Sequence, residues 1–185
     1  MPLIPYADLD HAPQEVREAF ARMPRKLNVM KMLANAACDF VPCMRLGGAI
    51  LGRQKLKPRH RELVILLASH LEGGAYEWVQ HVPIAESTGC RKEQIEAIEA
   101  GRLDDACFEE SDRALLRFTR EVIEYVRAEE ETVRHAAHYF SREEIVEIIV
   151  TCGFYMMLAR LTETTRTETD TPSGTAVVEE LVRLR

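Results

Sequence analysis

The sequence predicts an all-α fold, a helical bundle in one domain spanning residues 1–185. Three observations predict it. Apolar residues recur at three- and four-residue spacing in several long segments. Residues that start and stop helices punctuate those segments at the right places. No stretch alternates apolar and polar residues in the manner of a half-buried strand.

Residues 1–12 read as an extended arm, after which Pro13 suits the first turn of a helix reaching Met23, with Pro24 ending it. Residues 27–37 carry Val29, Met30, Leu33 and Ala37 at helical spacing. The next apolar stretch, 40–51, contains Gly47 and Gly48 and is followed by Gly52; small residues there imply close approach of another helix or a ligand. Pro58 fits the first position of a helix over 58–72, whose centre from Leu63 to Ala68 is apolar on every side. Such a helix is buried all round and forms the spine of the fold. Gly73 and Gly74 stop it, because glycine takes the left-handed conformation at a helix end without a Cβ clash.

A second helix follows at once over 75–88, with Pro83 expected to kink it and Gly89 to close it. A short helix spans 91–100 with Ile95 and Ile98 inward, ended by Gly101. Over 111–127, Leu115, Leu116, Phe118, Val122, Ile123 and Val126 form one apolar stripe. Ser141 and Glu144 make a capping box opening a long apolar helix to about Leu161. The threonine-rich run 162–171 reads as a loop or frayed end, and 177–184 as a last amphipathic segment. No composition break separates two cores.

The chain has 185 residues, enough for one well-formed core, and 46% hydrophobic with 29% charged residues is the balance of a globular protein. Thirty acidic residues against 24 basic ones give a net charge of -6, which argues against nucleic acid as a partner. Arg53, Lys55, Lys57, Arg59 and Arg61 nevertheless cluster, either as a solvated loop and helix start or as a lip attracting anionic substrates. No segment reads as long and apolar enough to span a membrane, and the N-terminus lacks a signal-peptide layout; a cytoplasmic location is expected. Five cysteines (Cys38, Cys43, Cys90, Cys107 and Cys152) form neither a C-x-x-C pair nor a zinc-like group, so reduced, mostly buried thiols are expected. Cys38 and Cys43 are a conceivable redox pair, although a five-residue step on a helix does not set two thiols face to face.

The residues with the clearest chemical potential are Glu77 and His81, four apart and so on one face of their helix. Spacing alone also fits an ordinary exposed pair. Glu62, at the start of a very apolar helix, needs a partner for its carboxylate. If the two helices form an antiparallel hairpin about Gly73 and Gly74, Glu62 lies level with residue 85. His81 is then offset by about 6 Å and Glu77 by about 12 Å, from the rise per residue. Glu62 therefore approaches His81 more readily than Glu77, and an imidazole among carboxylates is a centre for handling protons.

The stretch from His60 to Ile98 resembles the core of the carboxymuconolactone decarboxylase family, which includes alkylhydroperoxidase D-like proteins. The matching residues are Arg61-Glu62-Leu63, Glu77, His81, Gly89 and the run Arg91 to Ile95, within about residues 58–100. The resemblance implies the helical fold of that family and homo-oligomers, trimers or hexamers. Its peroxidase branch carries C-x-x-C four and seven residues before the histidine, where this chain has Glu77 and Gly74. The relay positions, Glu62 and His81, are retained while both sulfurs are absent, so peroxide reduction at that site is not expected.

What the resemblance leaves is a decarboxylase-like, cofactor-free reaction on a small carboxylated cyclic or conjugated substrate, with no metal. His81 is then the proton donor, Glu77 or Glu62 its orienting partner, and Arg45, Arg53 or Arg160 the holder of a substrate carboxylate. Tyr76 either hydrogen-bonds in the site or simply packs. Trp78 packs between helices or subunits, or lines the pocket; Phe154, Tyr155, Met156 and Met157 form core or cavity wall. His60, His70, His135 and His138 lack partners at metal-ligand spacing, apart from a weak surface grouping of the last two near Glu131. Two other functions remain open: a thiol peroxidase using displaced cysteines such as Cys38 and Cys43, and a non-catalytic oligomeric binding protein.

Overall fold

The computed structural model describes residues 1–23, 25–172 and 174, and among them every regular element is a helix. The elements are α1 (Gln14–Ala21), α2 (Asn28–Leu33), α3 (Ala37–Arg53), α4 (Pro58–Glu72), α5 (Ala75–Ser87), α6 (Lys92–Glu99), α7 (Glu110–Tyr125), α8 (Glu130–Ala136) and α9 (Arg142–Thr165). The expected stop at Pro24 and the amphipathic segment at 177–184 lie outside the described residues.

α4 is the spine. Pro58 occupies its first turn, every residue from Arg61 to Ser69 is buried, and Gly73 ends it at φ 66°. α5 begins after Gly74, so the chain reverses and the two helices pack side by side. α9 covers the same assembly, packing on α4, α5 and α7. Around this centre one continuous apolar core joins α1 to α3, α6 and α7, with Phe20 stacked on Phe40 at 4.8 Å. Arg59 ties α4 to α7 through both oxygens of the fully buried Asp112.

Several sequence expectations change in detail. The helix expected over 27–37 breaks at residues 34–36, and α3 then runs from Ala37 straight through Pro42. Gly47 permits the close approach anticipated there, since a Cβ on it would stand 3.1 Å from the Phe154 ring. α5 continues past Pro83 to Ser87. Val126 leaves the α7 stripe: it is the left-handed C-cap residue, at φ 69°, and 89% exposed. α8, with seven residues, had no counterpart in the sequence reading.

The threonine-rich run is also not a loop throughout. α9 continues to Thr165, with Thr162 and Thr165 buried and their hydroxyls bonded back to carbonyls one turn earlier. Helix α9 overturns the expectation that no segment is apolar enough for a membrane. It has 24 residues and a window of mean hydropathy 1.6, which meets the length and composition of a span. In this fold it is a bundle helix, burying Ile148, Cys152, Tyr155 and Ala159. Its outer face exposes Val146, Ile149, Val150, Gly153 and Met157, each three or four residues from another of the set.

Candidate functional site

The α4–α5 hairpin brings Glu62 to His81. Glu62 Oε2 stands 2.8 Å from His81 Nδ1, and the carboxylate has no solvent exposure. Its other oxygen accepts from Arg61 Nε and Nη2, each at 3.2 Å. Both oxygens are thus engaged, which a fully buried carboxylate requires. An ionised Glu62 accepts the Nδ1 proton, and that fixes the neutral imidazole as the tautomer with its lone pair on Nε2. No described residue hydrogen-bonds to Nε2, while the His81 ring lies edge-on to Tyr155 at 4.9 Å.

Glu77 takes a different position. It is buried, and both its oxygens face the Thr162 hydroxyl, at 3.2 and 3.1 Å. Burial pushes its carboxyl above the ordinary value, and the Thr162 hydroxyl and neighbouring His81 only partly offset this. Between the two orienting partners proposed from sequence, the hydrogen bond to the ring comes from Glu62.

His81, Glu77, Tyr76 and Gln80 line one pocket, walled by Leu27, Val29, Met30, Leu33, Met44, Gly47, Leu51, Ile84, Phe154, Tyr155 and Leu158. Its wall is almost wholly apolar. Tyr76 does not point its hydroxyl to a relay: it donates to Asp170 Oδ2 at 2.5 Å. Burial and that carboxylate hold the phenol strongly protonated. Gln80 Nε2 donates to the Asp170 carbonyl at 2.7 Å, and the Asn28 amide donates to Asp170 Oδ2. Asp170 therefore fastens the segment after α9 to α2 and α5 beside the pocket. Sequence reasoning missed this residue and also Arg61 as the second partner of Glu62; only the adjacency of Arg61 and Glu62 in sequence signalled the latter.

The three arginines proposed for a substrate carboxylate are elsewhere. Arg45 and Arg53 are exposed on α3, and Arg53 borders a separate shallow groove with Val146 and Val150. Arg160 is exposed and paired with Glu72. None lines the His81 pocket. The basic cluster does not form its lip either, since Arg59 and Arg61 are committed to Asp112 and Glu62 and the other three are exposed.

Trp78 stands beside His70 outside the pocket, whereas Phe154 and Tyr155 line it; Met156 is half-buried and Met157 exposed. All five cysteines are free thiols, and no cysteine lines the pocket. Only Cys90 and Cys152 are buried, and burial pushes them up to about 11 and about 12. Burial raises Cys43 as well, the opposite of an activated thiolate. His135 and His138 sit on α8 and just after it, and the described residues contain no group of three or more His, Cys, Asp or Glu able to hold a metal.

The sequence pattern of the carboxymuconolactone decarboxylase family matches residues 42–121. A protein of unknown function from Agrobacterium tumefaciens is 26% identical, with a TM-score of 0.67 over 74% of this chain and 94% of its own. A peroxidase-related protein from Ralstonia eutropha with an alkylhydroperoxidase AhpD core shares 19% identity at a TM-score of 0.77, covering 91% of this chain and 92% of its own. The debrominase Bmp8, in complex with 2,3,4-tribromopyrrole, gives 17% identity and a TM-score of 0.72, covering 99% and 97%. No curated protein matches the chain. Residues 42–121 thus carry the pattern of the carboxymuconolactone decarboxylase family, on an alkylhydroperoxidase D-like fold and without a C-x-x-C pair.

Proposed function

We propose that this protein is a cofactor-free acid–base enzyme that moves a proton on a small, unsaturated ring substrate. The observation that carries the reading is the relay Arg61–Glu62–His81, buried behind a mainly apolar pocket with the imidazole at its wall. Glu62 holds the Nδ1 proton, so Nε2 serves as base. Once Nε2 gains a proton, the adjacent carboxylate steadies the imidazolium, which exchanges that proton with water and delivers one to another atom of the substrate. The decarboxylase-like version of this chemistry ends in the same step, protonation of a dienolate at carbon. A fold neighbour bound to tribromopyrrole supports a small ring as the occupant.

The thiol peroxidase reading is weaker, because a peroxidase needs an activated thiolate at the site and the pocket wall carries no sulfur nucleophile. We also propose a cytoplasmic homo-oligomer, trimer or hexamer, without nucleic-acid partners. The exposed apolar stripe of α9 supports self-association.

Deuterium incorporation in heavy water tests the enzyme reading, with a panel of conjugated five- and six-membered ring ketones and lactones followed by NMR. Wild type should place deuterium at carbon in at least one compound. His81→Ala should lower that rate by roughly a hundred- to ten-thousand-fold while the helical spectrum is unchanged. Absence of exchange across the panel, or equal exchange by His81→Ala, would move the non-catalytic binding function to first place.

A further inference from the structure

The side-chain donors at the pocket wall are few, and most are already used. Tyr76 gives its hydroxyl hydrogen to Asp170 Oδ2, Gln80 Nε2 donates to the Asp170 carbonyl, and His81 Nδ1 faces Glu62. Tyr155 is different. It lines the pocket, only 3% of it is exposed, and its ring packs edge-on against His81. No described residue hydrogen-bonds to its hydroxyl. Nor is that oxygen among the sealed polar atoms without a partner, which are His60 Nδ1, Gln80 Oε1, Thr119 Oγ1 and Arg120 Nε. The cavity that Tyr155 lines is where that hydroxyl can meet an acceptor.

Charge at the wall is one-sided. Glu77 lines the pocket, Glu62 and Asp170 are bonded to its lining residues His81 and Tyr76, and no lysine or arginine lines it. The one guanidinium close by, Arg61, is held by Glu62 behind the imidazole. A ligand carboxylate would enter a largely apolar space beside Glu77, with Glu62 and Asp170 one residue behind the wall and no cation on the wall to receive it. Tyr155 itself stays neutral, since burial and the nearby carboxylates keep its hydroxyl well above the ordinary value.

We infer that Tyr155 is a catalytic hydrogen-bond donor to the carbonyl oxygen of an uncharged conjugated ring, and that the site selects against carboxylates; this rests on the acid–base reading above. His81 Nε2 removes a proton from a carbon conjugated with the carbonyl, and the C–H electron pair moves into the conjugated system. Negative charge then collects on the carbonyl oxygen, where the Tyr155 O–H stabilises it. Delivery of a proton from Nε2, which exchanges with water while it resides on the ring, to a different carbon completes a double-bond shift, with no oxidant, reductant or co-reactant. The nearness of the Tyr155 and His81 rings puts donor and base beside the same substrate.

Infrared difference spectroscopy on the full chain tests this with cyclohexenone as probe and cyclohexenecarboxylate as the anionic comparison. The bound carbonyl stretch should fall to lower frequency in wild type and return to its position in apolar solvent in Tyr155→Phe, which removes only the hydroxyl. Cyclohexenone should bind at least tenfold more tightly than the carboxylate, and that preference needs no side chain changed. An unshifted carbonyl, the same shift in a folded Tyr155→Phe, tighter binding of the carboxylate, or no binding of cyclohexenone would overturn the proposal. Because binding is read without turnover, loss of deuterium exchange with the carbonyl shift intact would sink the enzyme reading instead.

Discussion

The carboxylate of Glu77 fills the space a side chain on Gly74 would need. A Cβ built on Gly74 would stand 2.8 Å from Glu77 Oε2 and 3.0 Å from the Ala159 Cβ. By the resemblance, Gly74 and Glu77 stand at the positions of the peroxidase branch's cysteines; here a long side chain at 77 is matched by none at 74. Gly74 has φ -73°, an ordinary backbone conformation, so the demand for glycine is steric. Gly74→Ala should therefore destabilise the fold by about 1–3 kcal/mol through overpacking. In a Glu77→Ala background that cost should shrink, leaving only the Ala159 contact. Urea unfolding of the four-variant cycle measures it; an equal cost in both backgrounds would show that Glu77 does not occupy this space.

Burial of Glu77 makes stability depend on pH in a defined direction. Its carboxyl is raised in the folded state above the ordinary 4.5, so the folded chain binds that proton more tightly than the unfolded one. This contribution to stability is complete below the ordinary value and is lost as pH rises through the raised one. Glu77→Gln, which stays neutral, should lack the decline, so its stability relative to wild type should increase across that interval. Thermal unfolding over an acid-to-neutral series checks this. Parallel curves for the two proteins would mean that Glu77 titrates as though exposed.

Glu62→Gln should harm both activity and stability. The amide keeps the shape but removes the charge that orients the imidazole, and it leaves Arg61, only 4% exposed, without an anionic partner. Breaking a buried ion pair from one side costs about 3–5 kcal/mol. A variant as stable as wild type, measured by denaturant unfolding, would show that Arg61 finds water or another acceptor.

The α4–α5 hairpin and its central contact were legible because the signals are local. Pro58 at a helix start, Gly73 at a helix end and the rise per residue suffice to bring Glu62 level with the neighbourhood of His81. The arginines were not legible: Arg45, Arg53 and Arg160 have the right chemistry, but only packing decides which helix face meets the cavity, and theirs faces solvent. Asp170 was invisible for a related reason. Its partners Tyr76 and Asn28 lie 94 and 142 residues away, and Asp170 itself sits in the threonine-rich run that reads as a loop or frayed end. Tyr155 appeared only as one of four apolar neighbours on α9, because nothing in its surroundings in sequence announces an unshared hydroxyl.

The exposed stripe on α9 gives an expectation for assembly. Sedimentation should show a trimer or hexamer at micromolar protein, and Ile149→Glu, in the middle of the stripe, should shift it toward monomer without loss of helix. A wild-type monomer under those conditions would contradict the proposed oligomer.

The central claim is that Glu62 sets the tautomer of His81 and leaves Nε2 as the base facing the pocket. Histidine-nitrogen NMR on selectively labelled protein reads this directly. The neutral ring should carry its proton on Nδ1, with an unprotonated Nε2 whose shift moves when cyclohexenone is added, and Glu62→Gln should mix the tautomers. A neutral ring protonated on Nε2, or an Nε2 signal indifferent to the ligand, would contradict the account.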